Sequence, residues 1–398
     1  MADHNPPDSK RGHGKTRGGT SGKVADFRYK RPSRPDRRPD AAHRDGSRSS
    51  DPVRASNAPS SPSRNRKQAY AALDLGTNNC RLLIARPSGE NFTVIDAFSR
   101  VVRLGEGLAA SGRLSDDAMD RTLAALHVCA DKLRRRHVHL ARSVATEACR
   151  RASNGEAFIE RVREETGIVL DIISAQEEAR LAVLGCHILL EDGAGPAVIF
   201  DIGGGSTELV LVEPSGAVPR IIDWMSVPWG VVSLTDTVGG SDDSTDLRLD
   251  RYRRMRQTVL DSFKPFARRV RDYAQGPHAI RLLGTSGTVT TLASLHLELP
   301  QYDRQVVDGL ILPSVAMRDI SVKLSHMSGP DRRQLPCIGD DRANLVVAGC
   351  AILESILDIW PSQTLGVADR GIREGILRSL MATDTVSDRT RTDTKQAR

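Results

Sequence analysis

The feature that most constrains the fold of this 398-residue chain is an internal repeat. The apolar run 69–75 ends in Asp74-Leu-Gly76 and is followed by Cys80-Arg-Leu-Leu-Ile-Ala85. The pattern returns 127 residues later, where the run 197–202 ends in Asp201-Ile-Gly203 and Leu209-Val-Leu-Val212 follows. Laid over one another, Leu82-Leu83 falls on Leu209-Val210, without a gap for ten residues. Each copy reads as strand, tight turn, strand, and a repeat of this period points to a duplicated lobe with one glycine-turn hairpin in each half.

Around these hairpins strands alternate with helices, which favours sheets covered by helices, an α/β class. Strands are expected at 92–98, 141–145, 167–173, 278–283 and 364–368. A helix is expected over 115–136, where apolar Met119, Leu123, Leu126 and Leu133 recur at helical spacing behind a Ser115 cap. Others are expected at 155–166, from 174 to about 190, at 247–271, from 288, at 341–359 and at 372–381. The length suits two lobes, 69–190 and 191–383, and the helix near 371–382 can pack back onto the first. Residues 384–398 are polar and expected to be disordered.

Charge is unevenly placed. Up to Gln68 the chain holds 17 Lys and Arg against 7 Asp and Glu, net +10, so the formal +7 of the whole belongs to this segment. Residues 1–68 are rich in Arg, Pro, Ser, Asp and Gly without apolar period, and are expected to be a disordered basic tail that captures polyanions electrostatically. The tail lacks the interleaved aromatics that stack on bases, so nucleic acid is not an expected partner. No run of about 20 apolar residues is present and none resembles a signal peptide, which predicts a cytoplasmic protein with no membrane partner. The six cysteines show no zinc spacing and are expected to be reduced and mostly buried.

Asp201-Ile-Gly-Gly-Gly-Ser-Thr-Glu208 carries the strongest chemical signal. The glycines Gly203, Gly204 and Gly205, with Ser206 and Thr207, let bare N–H groups approach a phosphate. Asp201 and Glu208 would repel that phosphate unless a divalent cation, Mg2+ or Mn2+, lay between, so they are candidate metal ligands. The weaker copy offers Asp74, Gly76, Thr77 and Asn78 to the same phosphate chain. Ser174-Ala-Gln-Glu177 fits a capping box that uses up Glu177. Glu178 points about 100° further round the helix and is the candidate general base. Arg150, after the Thr146 turn, is the candidate for equatorial phosphate oxygens, with Arg151 as its rival. Gly284, Ser286 and Gly287 precede a helix whose first amides can bind a further phosphate. Arg373 and Glu374 are expected to make local ion pairs.

These segments, with Thr146–Asn154, Ser174–Arg180 and Arg373–Leu377 in the same order, resemble the exopolyphosphatase and guanosine pentaphosphate phosphohydrolase (Ppx/GppA) family of the actin-like, ribonuclease H-like fold group. The resemblance implies two actin-like lobes with a cleft between them. It also implies Glu178 as catalytic base, Asp201 and Glu208 assisting metal and water, and Arg150 and Thr146 at phosphate. Thr77-Asn78-Asn79 stands where many members carry Ser-Asn-Ser, which keeps the hydroxyl. The helical C-terminal domains of some members are not expected here, and a homodimer is left open. The expected reaction is hydrolysis of terminal phosphoanhydrides of inorganic polyphosphate, with guanosine pentaphosphate as alternative substrate. From other classes, an ATP-dependent kinase of this fold and a non-catalytic polyphosphate- or alarmone-binding regulator compete.

Overall fold

The computed structural model describes residues 68–396 except 90, 194, 216–217, 240–243 and 276–278, so the expected basic tail lies outside the described residues. Two mixed sheets carry the repeat. The first contains β1 (Ala69–Leu75), β2 (Asn79–Ser88), β3 (Asn91–Val101), β4 (Val138–Ala145) and β5 (Leu170–Ile172), in the order β3-β2-β1-β4-β5. The second contains β6 (Ala197–Ile202), β7 (Thr207–Glu213), β8 (Arg220–Val227), β9 (Arg281–Thr285), β10 (Ile311–Pro313) and β11 (Thr364–Ala368), in the order β10-β11-β9-β6-β7-β8. Apart from the added edge strand β10, the two orders are the same. The registers coincide as well: Leu75 pairs with Cys80 and Asp74 with Arg81, while Ile202 pairs with Thr207 and Asp201 with Glu208.

Each sheet is buried on both faces, which is why its central strands are near-continuous apolar runs. On the outer face of the first, Leu73, Leu75, Leu82 and Ile84 pack with Leu123 and Leu126 of the helix Asp116–Arg135. That helix is capped by Ser115 Oγ, which accepts from the N–H of Ala118 at 3.3 Å. On the outer face of the second, Phe200 and Leu209 pack with Phe263 and Phe266 of the helix Thr245–Tyr273.

The inner faces exchange helices. The helix Ala175–Cys186 follows the first sheet in sequence but lays Ala179 and Val183 on Ile199 and Val210 of the second. The helix Ile372–Gln396 follows the second sheet but lays Ile376, Leu377 and Leu380 on Tyr70 and Leu83 of the first. A chain division at residue 190 therefore separates the helix Ala175–Cys186 from the sheet it covers.

Several expectations are corrected. Order does not stop near residue 383, because the last helix continues to Gln396. Its Asp384 accepts a hydrogen bond from Tyr70 Oη at 2.6 Å, and the polar sequence beyond it has no apolar stripe to announce a helix. The expected strand 278–283 begins outside the described residues and proves to be Arg281–Thr285. Strand β8 and the helices Val231–Val238 and Ser314–His326 have no counterpart in the pattern reading. Among the described residues no helix is long and apolar enough to cross a membrane.

Candidate active site

The two glycine turns meet at the floor of a cleft between the lobes. A Cβ on Gly204 would lie 3.0 Å from Thr77 Cβ, and one on Gly205 only 2.7 Å from Thr77 Oγ1 and 2.9 Å from Glu147 Cγ. Bare backbone at Gly204 and Gly205 is thus required by the opposing turn as well as by any ligand. Both turns are built alike. Gly76 N–H bonds the carbonyl of Asn79, and Gly203 N–H that of Ser206, each at 2.9 Å. In the first, the carbonyls of Thr77 and Asn78 accept from the N–H groups of Gly105, Val102 and Arg103. In the second, the carbonyls of Gly203 and Gly204 accept from Val231 and Val232, at the start of the helix Val231–Val238. With their carbonyls engaged, the turns keep the N–H groups of Thr77, Asn78, Gly204 and Gly205 without a protein acceptor among the described residues, a nest for an anion.

Five carboxylates stand beside these amides, Glu147 among them. Asp74, Glu178, Asp201 and Glu208 all line the cleft, a cavity of about 140 Å3. Burial, and then the charge of Glu208, pushes the Asp201 carboxyl up to about 8. Burial also raises Glu178 well above the usual carboxylate range, with Glu208 adding to it and Arg150 opposing. Glu208 is raised by burial and held back by hydrogen bonds donated by Ser206 Oγ at 2.6 Å and Ser226 Oγ at 2.9 Å. Asp74 is raised by burial against the pull of Arg81.

The repeat makes the asymmetry informative. The cross-strand pair Asp74–Arg81 of the first lobe becomes Asp201–Glu208 in the second, two acids where the first lobe has an acid and a base. Like charges facing one another are destabilising unless a cation intervenes. The donor set fits a hard divalent ion: carboxylate oxygens, plus the Oδ1 of Asn78, buried in the cleft wall without a hydrogen-bond partner. No three metal-ligating side chains converge among the described residues, so the protein would supply part of a shell that water and phosphate complete, as is usual for magnesium.

These shifts have a testable sign. A carboxyl that ionises near 8 in the fold but near 3.9 when unfolded holds an extra proton in the folded state between those limits, so its contribution to stability is present at low pH and lost as pH rises through about 8. Without divalent cations the protein is expected to melt at a lower temperature at about pH 8.5 than at about pH 6. Magnesium should recover more of the loss at the higher pH, and Asp201→Asn should flatten the difference. Thermal unfolding with and without chelator checks this, and an Asp201→Asn profile parallel to wild type would contradict it.

Glu178 lies in the first turn of the helix Ala175–Cys186, whose cap Ser174 Oγ accepts from Glu177 N–H at 3.2 Å. The capping box is only half formed. The Glu177 carboxylate, instead of reaching back to the cap, takes hydrogen bonds from Arg142 at 2.9 Å and Arg180 at 2.7 Å, because two guanidinium partners outweigh one amide. Arg150 donates to Glu178 Oε2 at 3.0 Å, to the Ile173 carbonyl at 2.8 Å and to Glu147 Oε2 at 2.5 Å.

Of the residues singled out from the sequence, Gly76, Thr77, Asn78, Thr146, Gly203, Gly204, Gly205, Ser206, Ser286 and Gly287 line the cleft together with Asp74, Glu178, Asp201 and Glu208. Arg150, Thr207 and Gly284 do not. Arg150 is engaged with Glu147 and Glu178. Thr207 is fully buried and donates to the Trp229 carbonyl at 2.6 Å. A Cβ on Gly284 would meet the Phe200 ring at 2.6 Å, so this glycine serves strand packing. Arg151 lies 3.7 Å from Glu147. Glu374 pairs with Arg304 at 2.8 Å, 70 residues away, and against burial the charge of its neighbour Arg373 also holds its carboxyl below the usual range.

The sequence reading missed Arg81, Glu147 and Arg342 as cleft residues. Arg81 was recoverable from the hairpin register, which sets it opposite Asp74. Glu147 had the i,i+3 spacing to Arg150. Arg342 carried no local signal.

Two sheets of one topology, with turn amides and buried carboxylates meeting between them, define an enzyme of the actin-like fold group that acts on phosphate. The chain belongs to the Ppx/GppA phosphatase family, whose model matches residues 83–384, and is thereby a phosphoanhydride hydrolase. Among curated relatives, exopolyphosphatase 2 of Mycobacterium tuberculosis is 31% identical over 324 residues, covering 78% of this chain and 98% of the relative. A crystal structure of the Aquifex aeolicus family member is 29% identical with a TM-score of 0.65, over 80% of this chain and 98% of that one. An exopolyphosphatase from Cytophaga hutchinsonii, at 23% identity and a TM-score of 0.69 over 79% of this chain and 98% of that one, shares the fold.

Proposed function

We propose that the protein is an exopolyphosphatase, releasing terminal phosphate from inorganic polyphosphate. The observation that carries this is the meeting of two amide nests with Glu178 and the Asp201–Glu208 pair in one cleft. The N–H groups of Thr77, Asn78, Gly204 and Gly205 bind oxygens of the terminal phosphate. Glu178, its Oε2 held by Arg150, takes a proton from water through Oε1, which has no protein partner among the described residues. The water oxygen bonds to phosphorus as the anhydride P–O bond breaks, and the departing chain keeps the electron pair. A carboxylate raised by burial is matched to this task near neutral pH. Asp201 and Glu208, with the Asn78 carbonyl, would hold Mg2+ or Mn2+, which when bound supplies positive charge at the phosphate oxygens. A divalent cation also relieves the mutual repulsion of the two acids.

Polyphosphate is favoured over guanosine pentaphosphate because the described lining of the cleft contains no aromatic side chain to stack on a base. The six cysteines are free thiols, with Cys80 Sγ 3.9 Å from Cys129 Sγ, and this supports a reducing, cytoplasmic location. Magnesium-dependent phosphate release, measured side by side on long-chain polyphosphate and guanosine pentaphosphate, is expected to favour the first. Preference for the nucleotide would overturn the substrate reading, and release from neither would overturn both substrates.

A further inference from the structure

Resting on the hydrolase reading, we propose that Glu147 is a positioning residue for the reaction: it fixes the fork of Arg150 and, through it, the orientation of the Glu178 carboxylate. Glu147 is a buried acid of the cleft that no step of the proposed reaction uses. A carboxylate beside an anion nest weakens phosphate binding unless its charge is taken up. Arg150 takes it up, donating to Glu147 Oε2 from Nη2 at 2.5 Å and from Nε at 3.2 Å.

The donors of Arg150 carry the argument further. A guanidinium holds its five N–H groups in a rigid planar fork. One edge of the fork, Nη1, donates to the Ile173 carbonyl at 2.8 Å and to Glu178 Oε2 at 3.0 Å. The other, Nε with Nη2, is spent on Glu147. Held at Nη1 alone, the fork could turn about that edge and take Glu178 Oε2 with it. Held at both edges, its plane is fixed, and the free Oε1 of Glu178 keeps one direction toward the attacking water.

The stem of Glu147 ties this arrangement to the phosphate. A Cβ on Gly205 would lie 2.9 Å from Glu147 Cγ, so the side chain rests on the bare backbone of the second-lobe turn while its head holds Arg150. One first-lobe side chain thus stands between the amides assigned to the terminal phosphate and the arginine that holds Glu178. Water and phosphorus must meet at about 3 to 3.5 Å, and a misplacement of about 1 Å can cost about a hundredfold in rate.

The test reads steady-state phosphate release from medium-chain inorganic polyphosphate with magnesium. The variants are Glu147→Ala, Glu147→Gln, Arg150→Ala and the double variant Glu147→Ala with Arg150→Ala. Equilibrium binding of the same polyphosphate is read for Glu147→Ala in a Glu178→Gln background. Glu147→Ala is expected to lower kcat by about ten- to a hundredfold, with Kd within about threefold of its parent and the melting temperature unchanged. Glu147→Gln, whose amide oxygen still accepts from Arg150, should stay within about fivefold of wild type. Because Glu147 acts through Arg150, removing it from Arg150→Ala should cost less than about twofold more. Additive losses in the double variant, a Gln variant as slow as Ala, or a Glu147→Ala kcat within about twofold of wild type would each overturn the assignment and leave the hydrolase reading intact. If Arg150→Ala does not fold, the Ala and Gln variants of Glu147 decide alone. A parent protein that neither binds nor hydrolyses polyphosphate would sink both.

Discussion

Glu178→Gln is expected to reduce phosphate release by about 10^2- to 10^4-fold, the contribution of a positioned general base, while polyphosphate binding persists. The substitution keeps the shape of the side chain and its contact with Arg150, which can still donate to the amide oxygen, but removes the group that accepts the water proton. Folding should not suffer, because Glu178 is buried beside the like-charged Glu208 and its charge opposes burial. Glu177→Gln is the control. Its carboxylate is bound to Arg142 and Arg180, away from the cleft lining, so it should retain near-normal turnover. Initial rates, binding and melting temperature for the two variants decide the matter: more than about a tenth of wild-type activity in Glu178→Gln would remove Glu178 from the role of base.

Gly375→Ala is expected to destabilise the protein strongly, by about 3 kcal/mol or more. The inner helices Ala175–Cys186 and Ile372–Gln396 cross in backbone contact. A Cβ on Gly375 would lie 2.0 Å from the Leu181 carbonyl oxygen, and one on Gly185 only 1.9 Å from the Gly371 oxygen. Neither neighbour is a side chain that can rotate away, so the helices must separate and the packing of Leu181 with Ile376 and Leu377 must loosen. Leu181 is one turn beyond Glu178 on the same helix, so separation also displaces Glu178 from Glu208 and Arg150. The folded fraction of Gly375→Ala should therefore lose activity as well. Denaturant midpoints compared with Gly339→Ala, where an added Cβ meets nothing within 4 Å, isolate the effect. Equal midpoints for the two would show that the crossing tolerates a side chain.

The glycine-turn hairpins were legible because their determinants are local: strand, turn and returning strand lie within about 15 residues, and the same pattern occurs twice. The Ser115 and Ser174 caps were legible for the same reason. The position of Glu178 relative to Glu177 followed from helix geometry alone. Arg150 shows the limit of such reading, since a charge suited to phosphate in sequence is engaged in the fold by Glu147 and Glu178.

The sequence by itself determined the duplication, the α/β class, the two glycine turns and the carboxylates beside them, because each is written in short-range spacing and strand period. Only the tertiary structure decided that the turns abut through Gly204 and Gly205, that Arg342 enters the cleft, and that each inner helix covers the sheet of the other half. These depend on residues far apart in the chain, brought together when the two sheets bury their inner faces on one crossed pair of helices.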